Sequence, residues 1–209
     1  MIKKLLLIGG GGHCRSVLSS VLSLNQYDDI GIIDYTDTPI LGIPVVGRDE
    51  DLPGFKQSGW TDAFITVGSI GNTGLRRRLY QMVLDAGFWV PSIIDTTAIV
   101  AGDALVEAGT FVGKGAIVSS GTKIRQCAII NTGAIIEHDC LIGEFSHISP
   151  GTVLCGQVVV GDRSHVGAGS VVRQQIEIGK DTLIGAGSVV VNNIPDQAKA
   201  YGNPCKVVE

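Results

Sequence analysis

From Ile94 to Val190 an Ile, Val or Leu occupies every sixth position, seventeen times in succession without a slip of register. Chance agreement of that length is on the order of 10⁻⁸, so the period belongs to the fold. A period of six fits neither helix nor simple strand alternation. It fits a solenoid in which each hexad forms one flat side and one corner of a three-sided coil, with eighteen residues per turn. Four places after the aliphatic the residues are small, among them Ala98, Ala116, Thr122, Ala134, Cys140, Ser146, Thr152, Ser164, Ser170 and Ser188, as the inside of a tight corner requires. Glycine recurs three places after the aliphatic, where turns need dihedrals that a Cβ resists. Five coils and part of a sixth are implied, with no insertion loop.

Residues 1–92 alternate strand and helix patterns. Lys3–Ile8, Ile30–Asp34 and Ala63–Val67 read as strands, with a shorter one over Ile43–Val46. Helices are expected over His13–Leu24 and Thr73–Ala86, the second with Leu75, Leu79, Met82, Val83 and Ala86 on its apolar face. This predicts a small Rossmann-like α/β domain over 1–92, a repeat domain over 93–195 and a terminal segment over 196–209. The turn Gly9-Gly10-Gly11-Gly12-His13 joins the first strand to the first helix, where free N–H groups and the helix dipole favour a phosphate. The full dinucleotide fingerprint is absent, since Cys14 or Arg15 stands at its third glycine, so a packing-only turn is the competing reading. Asp34, ending the second strand, stands where a ribose or base contact is expected, and equally reads as an ordinary strand-end carboxylate.

Composition narrows the class. The 209 residues carry a net charge of −4 with no basic stripe and few aromatics, which argues against nucleic acid. The apolar run after Lys3-Lys4 is too short for a signal core or a membrane span, so it reads as a strand. Five cysteines without paired spacing argue against a disulfide framework and suit the cytoplasm.

Several stretches together carry a resemblance. They are Leu7-Ile8-Gly9-Gly10-Gly11-Gly12-His13; Gly71-Asn72 with Arg76 and Arg77; Ile130-Asn131-Thr132; Ile136-Glu137-His138-Asp139-Cys140; Ile142-Gly143-Glu144-Phe145-Ser146-His147; and Gly202-Asn203-Pro204-Cys205-Lys206. Over essentially its whole length the chain resembles the hexapeptide-repeat nucleotide-sugar N-acetyltransferases of the bacillosamine and perosamine type, with sialic acid O-acetyltransferase relatives. The resemblance implies a left-handed parallel β-helix, a homotrimer with sites between subunits, acetyl-CoA as co-substrate and a nucleotide-linked amino sugar as acceptor. The link Gly68-Ser69-Ile70-Gly71-Asn72 is two residues longer than the family's usual one, and Cys205 replaces the usual alanine.

Amide formation from a thioester needs a neutral amine, a base for its proton and a donor for the developing oxyanion. His138, two places after the inward Ile136, falls at a coil corner and is the candidate base. Glu137 and Asp139 both offer a carboxylate to orient it, and the resemblance selects Asp139. The resemblance also sets His147 beside the acetyl group or the sugar amine, and the Gly156 N–H on the thioester carbonyl. Asn131 is a candidate for the amine; Gly10, Gly11, Gly12, His13, Asp34 and Asn72 for the nucleotide sugar. Gly167, Ala168 and Ala186 are small enough to admit a pantetheine arm, or simply suit a tight coil, and Lys206 is placed to meet the coenzyme phosphates. His165, eighteen residues beyond His147, reads as a stacking residue. The histidine spacing does not match the three-histidine zinc site known on this prism, so no metal is expected. A non-catalytic sugar-nucleotide binder and a sialic acid O-acetyltransferase are the rival functions; the second would use the same base.

Overall fold

The computed structural model describes residues 2–208. Strand β1 (Lys4–Ile8) is apolar from Leu5 onward and lies at the centre of a parallel sheet, as a strand covered on both faces must. Its neighbours are β2 (Asp29–Ile33), then β3 (Val45–Gly47) on one side and β4 (Asp62–Ile65) on the other. Helix α1 (Gly12–Leu24) buries Cys14, Val17, Leu18 and Val21 against one face. A short helix α2 (Leu52–Gln57) that the pattern does not suggest lies in the β3–β4 connection, its first turn holding Pro53.

Helix α3 (Gly74–Asp85) covers the other face with Leu79 and Val83 buried and Met82 and Ala86 partly so. Its expected apolar face needs one correction. Leu75 is exposed and Arg76 is buried instead, because the Arg76 guanidinium donates to the carbonyls of Cys127 (2.5 Å) and Phe145 (3.4 Å) in the next domain.

From β5 (Ile93–Ile94) to β21 (Val189–Val190) a two-residue strand recurs every six residues, and each up to Val171–Val172 pairs in parallel with the strand eighteen residues on, as in Ile129↔His147↔His165↔Leu183. Three parallel sheets wrap a left-handed β-helix of triangular section. The hexad aliphatics point inward as one spine, Val112 to Val190, all essentially unexposed. Each contributes about 1.5–3 kcal/mol of burial. The third residue after each aliphatic, from 109 to 187, has a left-handed φ without exception, and half of these positions are not glycine. The terminal segment continues the fold: β22 (Lys199–Tyr201) pairs with Leu183–Ile184, then folds back on β23 (Lys206–Val207).

The two domains share a core. Ile93, Phe111 and Ile129, outward on one face of the prism, pack with Val17, Leu18 and Val21 of α1. Beside them the buried Asp95 accepts from Ser20 (2.5 Å) and pairs with Lys114 (3.0 Å). Burial works against the charged carboxylate, but hydrogen bonds from Ser20, Thr97 and Lys114 hold it well below the usual range. The α/β domain is thereby docked on the face that carries His147.

Candidate active site

His138 and Asp139 stand at the corner between the sheet containing Ile135–Ile136 and that containing Leu141–Ile142. Asp139 adopts a left-handed φ of 59°, a conformation Asp tolerates, and its Oδ2 lies 2.9 Å from His138 Nδ1. A carboxylate only accepts, so Nδ1 carries the proton and the Nε2 lone pair is left open. Both side chains are 58% exposed. One coil above, a methyl group on Gly156 would overlap the His138 ring; one coil below, a methyl on Gly121 would overlap the Asp139 carboxylate. Gly156 has no left-handed φ, so its missing side chain makes room for the ring and does not serve the backbone. Its carbonyl accepts from Gln175, while its N–H has no partner among the described residues.

His147 sits on the third sheet, across the prism from that corner, with the packed spine between them. Its Nδ1 donates to the Ser69 carbonyl (3.0 Å), which fixes the tautomer, and its Nε2 accepts from Asn131 Nδ2 (3.1 Å). Burial, with the nearby positive charges of His165 and Arg76, lowers its pKa to about 4 against the opposing bond to Ser69. The ring is therefore neutral and both nitrogens are committed. His165 meets it edge-on at 4.9 Å and bonds Ser149 (3.2 Å).

Two clefts open on this face and meet at His147. One, of about 650 Å³, lies between the domains and includes Gly12, His13, Gly68, Asn131 and Thr132. The other, of about 470 Å³, runs up the prism past His165, Gly167, Ala168 and Ala186. His13 stacks edge-on against Phe111, its Nε2 is buried without a hydrogen-bond partner among the described residues, and burial followed by the charge of Arg76 lowers its pKa to about 3. Gly167 has a further role: a Cβ there would press on the backbone of Gly185 and Ala186 in the next coil.

The glycine turn divides its labour. The Gly10 N–H donates to Asp34 Oδ2 (2.5 Å), and a Cβ on Gly10 would crowd that carboxylate, so Gly10 and Asp34 shape the turn together. Burial disfavours the Asp34 charge, but bonds from Thr36 and Gly10 hold its pKa below the usual range. Gly11 caps α1 without a side-chain bond, and the helix has no acidic residue in its first turn, which leaves its N-terminal N–H groups open to an anion. Asn72 is exposed and accepts from Gly74 N (2.9 Å) at the start of α3. Lys206 is exposed in the terminal hairpin, paired with Tyr201, whose Cβ lies against Gly185. A single chain thus gathers Gly12, His13, Asn131, His147, Gly167, Ala168 and Ala186 along one groove and leaves His138, Asp139 and Gly156 on the far corner.

This arrangement has known counterparts. Residues 4–83 match the PglD N-terminal domain, and residues 139–174 and 157–192 match the bacterial transferase hexapeptide model of six repeats. A variant of perosamine N-acetyltransferase from Caulobacter crescentus, solved with CoA and GDP-perosamine, is 35% identical over 100% of this chain and 98% of its own, with a TM-score of 0.94. The acetyltransferase domain of PglB from Neisseria gonorrhoeae, solved with acetyl coenzyme A, is 34% identical over 100% of both chains, with a TM-score of 0.94. The chain belongs to the hexapeptide-repeat nucleotide-sugar N-acetyltransferases. WeeI from Acinetobacter baumannii, at 20% identity and a TM-score of 0.82, shares the fold.

For a member of this acetyltransferase family the site holds residues that pattern reading passes over. Ser69 acts through its carbonyl, which no side-chain motif records. Gly121 and Ser149 act one coil away from the groups they serve; the eighteen-residue spacing is the signal that finds Gly121, whereas Ser149 lies sixteen residues before His165 and escapes it. Among the described residues no three His, Cys, Asp or Glu side chains are grouped to hold a metal ion, and no helix is long and apolar enough to cross a membrane.

Proposed function

We propose that this protein transfers the acetyl group of acetyl-CoA to the 4-amino group of a nucleotide-linked 4-amino-4,6-dideoxy sugar, as a homotrimer whose sites lie between subunits. The observation that carries this reading is the separation of His138 from the groove at His147. A base facing away from its own chain's clefts serves a substrate only if a second prism presents its corner to them.

In such a site the nucleotide lies on the α/β domain, its phosphates at Gly11, Gly12 and the start of α1, with the sugar near His13 and Asn131. The pantetheine arm follows Gly167, Ala168 and Ala186, with Lys206 toward the coenzyme phosphates. The amine attacks the thioester carbonyl directly. His138 Nε2 takes the amine proton as the C–N bond forms, and the Gly156 N–H receives the developing oxyanion. The tetrahedral intermediate then expels the thiolate, which takes the proton back from His138 and leaves as coenzyme A. Direct attack needs no acyl carrier, and the Cys140 thiol beside the corner is buried, donates to the Cys155 carbonyl, and has its pKa raised to about 11 by burial. Five free thiols suit the cytoplasm, and the chemistry suits the making of a surface polysaccharide or glycan.

The test is thiol release from acetyl-CoA with UDP-, dTDP- and GDP-linked 4-amino-4,6-dideoxy sugars, and with sialic acid and CMP-sialic acid alongside. Turnover of one amino sugar is expected and names the nucleotide. Turnover with a sialic acid alone would overturn N-acetylation in favour of transfer to a hydroxyl.

A further inference from the structure

We propose that Ile70 is the residue that limits the size of the transferred acyl group. The inference rests on the acetyl-transfer reading, with the coenzyme in the Gly167–Ala186 cleft and the sugar in the cleft between the domains. Three residues line both clefts: Ile70, His147 and Pro150. His147 is held at both nitrogens and Pro150 has a closed ring, so Ile70 presents the branched aliphatic side chain at the point where donor and acceptor must meet.

Ile70 is 73% exposed, yet the backbone around it is pinned. The Ser69 carbonyl accepts from His147, Arg76 Nη1 lies 3.5 Å from the Ser69 hydroxyl, and Asn72 binds Gly74 N. Gly71 has φ +70°, and a Cβ on it would sit 3.1 Å from Leu183 Cδ1, so the segment lies close on the wall of the coenzyme cleft. A β-branched side chain on such a support has few rotamers and keeps its place. Among the described residues Ile70 belongs to none of the hydrophobic clusters. The thioester carbonyl must turn toward the amine and the oxyanion donor, which leaves the acyl tail to face the junction wall. Ile70 fills the volume that a longer tail needs.

The experiment compares kcat/KM for acetyl-, propionyl- and butyryl-CoA, with the best amino-sugar acceptor, in the wild-type protein, Ile70→Val and Ile70→Ala. A pocket wall discriminates one methylene by about 10-fold or more, so Ile70→Ala should raise the propionyl-to-acetyl ratio by about that factor, with Ile70→Val between. An unchanged ratio in Ile70→Ala, including the case where all donors slow together, overturns the assignment. Wild-type protein that uses no donor with any amino sugar overturns the acetyl-transfer reading, and Ile70's role with it.

Discussion

His138 and His147 are nine residues apart, and the solenoid places them in opposite environments. His138 projects from a corner, its Nδ1 on Asp139 and its Nε2 open to a ligand. His147 lies in a groove under the α/β domain, with one nitrogen on Ser69 and the other on Asn131. The first can take a proton at no cost in existing bonds. The second can do so only by giving up Asn131 and charging a buried ring. One residue type thus presents an open ring nitrogen at one place and a fixed, neutral hydrogen-bonding surface at the other, and the difference is set by what the fold packs around each ring.

The contrast is tested most severely by removing the proposed base. His138→Ala should lower kcat by about 10²–10⁴-fold while leaving the assembly intact, because the side chain is 58% exposed and lies outside the packed spine. Mixing His138→Ala chains with His147→Ala chains should restore part of the activity, since each mixed interface can combine an intact corner with an intact groove. Mixtures as inactive as either parent would show that both histidines of a site come from one chain.

Acid should reveal the other half of the contrast. His147 titrates at about 4 and His13 at about 3 in the folded protein, both below the ordinary 6.5. Between those values and 6.5 the unfolded chain binds protons that the folded chain refuses. Their contribution to stability is therefore complete above pH 6.5, and is lost as pH falls toward 4 for His147 and toward 3 for His13. Each pH unit in that window costs about 1.4 kcal/mol per ring. Thermal melting followed from pH 7 to pH 4 should show a steep fall, shallower in His147→Gln; equal slopes would mean that the ring is not held neutral.

How much of this is legible in the chain varies with the kind of contact. The prism is written in the hexad period, because one aliphatic in six must face a core only one side chain wide. His138 and Asp139 are legible because adjacent residues form the pair. Arg76 was hidden, since a helix pattern cannot show that a neighbouring domain offers two carbonyls to an arginine on its apolar side. Helix α2 was hidden by Pro53 and Gly54, which usually signal a turn. The tautomer of His147 depends on a backbone carbonyl 78 residues away, which no local motif encodes.

Gly156 tests whether the His138 corner is built for its ring. Its φ is open to any residue, so Gly156→Ala should leave thermal stability nearly unchanged while the added methyl pushes the imidazole aside. Displacement of a catalytic group by about 1 Å is worth on the order of 10²-fold in kcat. Loss of stability with normal turnover would reverse the argument and make Gly156 a coil-packing residue. The contrasting substitution is Gly167→Ala, where the Cβ meets backbone; there melting should fall before activity does.

Asp139 separates orientation from charge, and the expected effect is the smallest. The pair is short at 2.9 Å, but both members are 58% exposed, so in the free chain water screens the attraction. Exposed pairs of this kind contribute about 0.2–1 kcal/mol, which bounds the electrostatic share at about fivefold in kcat. Asp139→Asn keeps an acceptor for Nδ1–H and should fall within that bound. Asp139→Ala removes the acceptor as well, frees the imidazole to take the wrong tautomer, and should cost more. If Asn proves as damaging as Ala, the charge itself acts on the protonated ring, and the corner must be drier beneath a neighbouring subunit than it is in one chain.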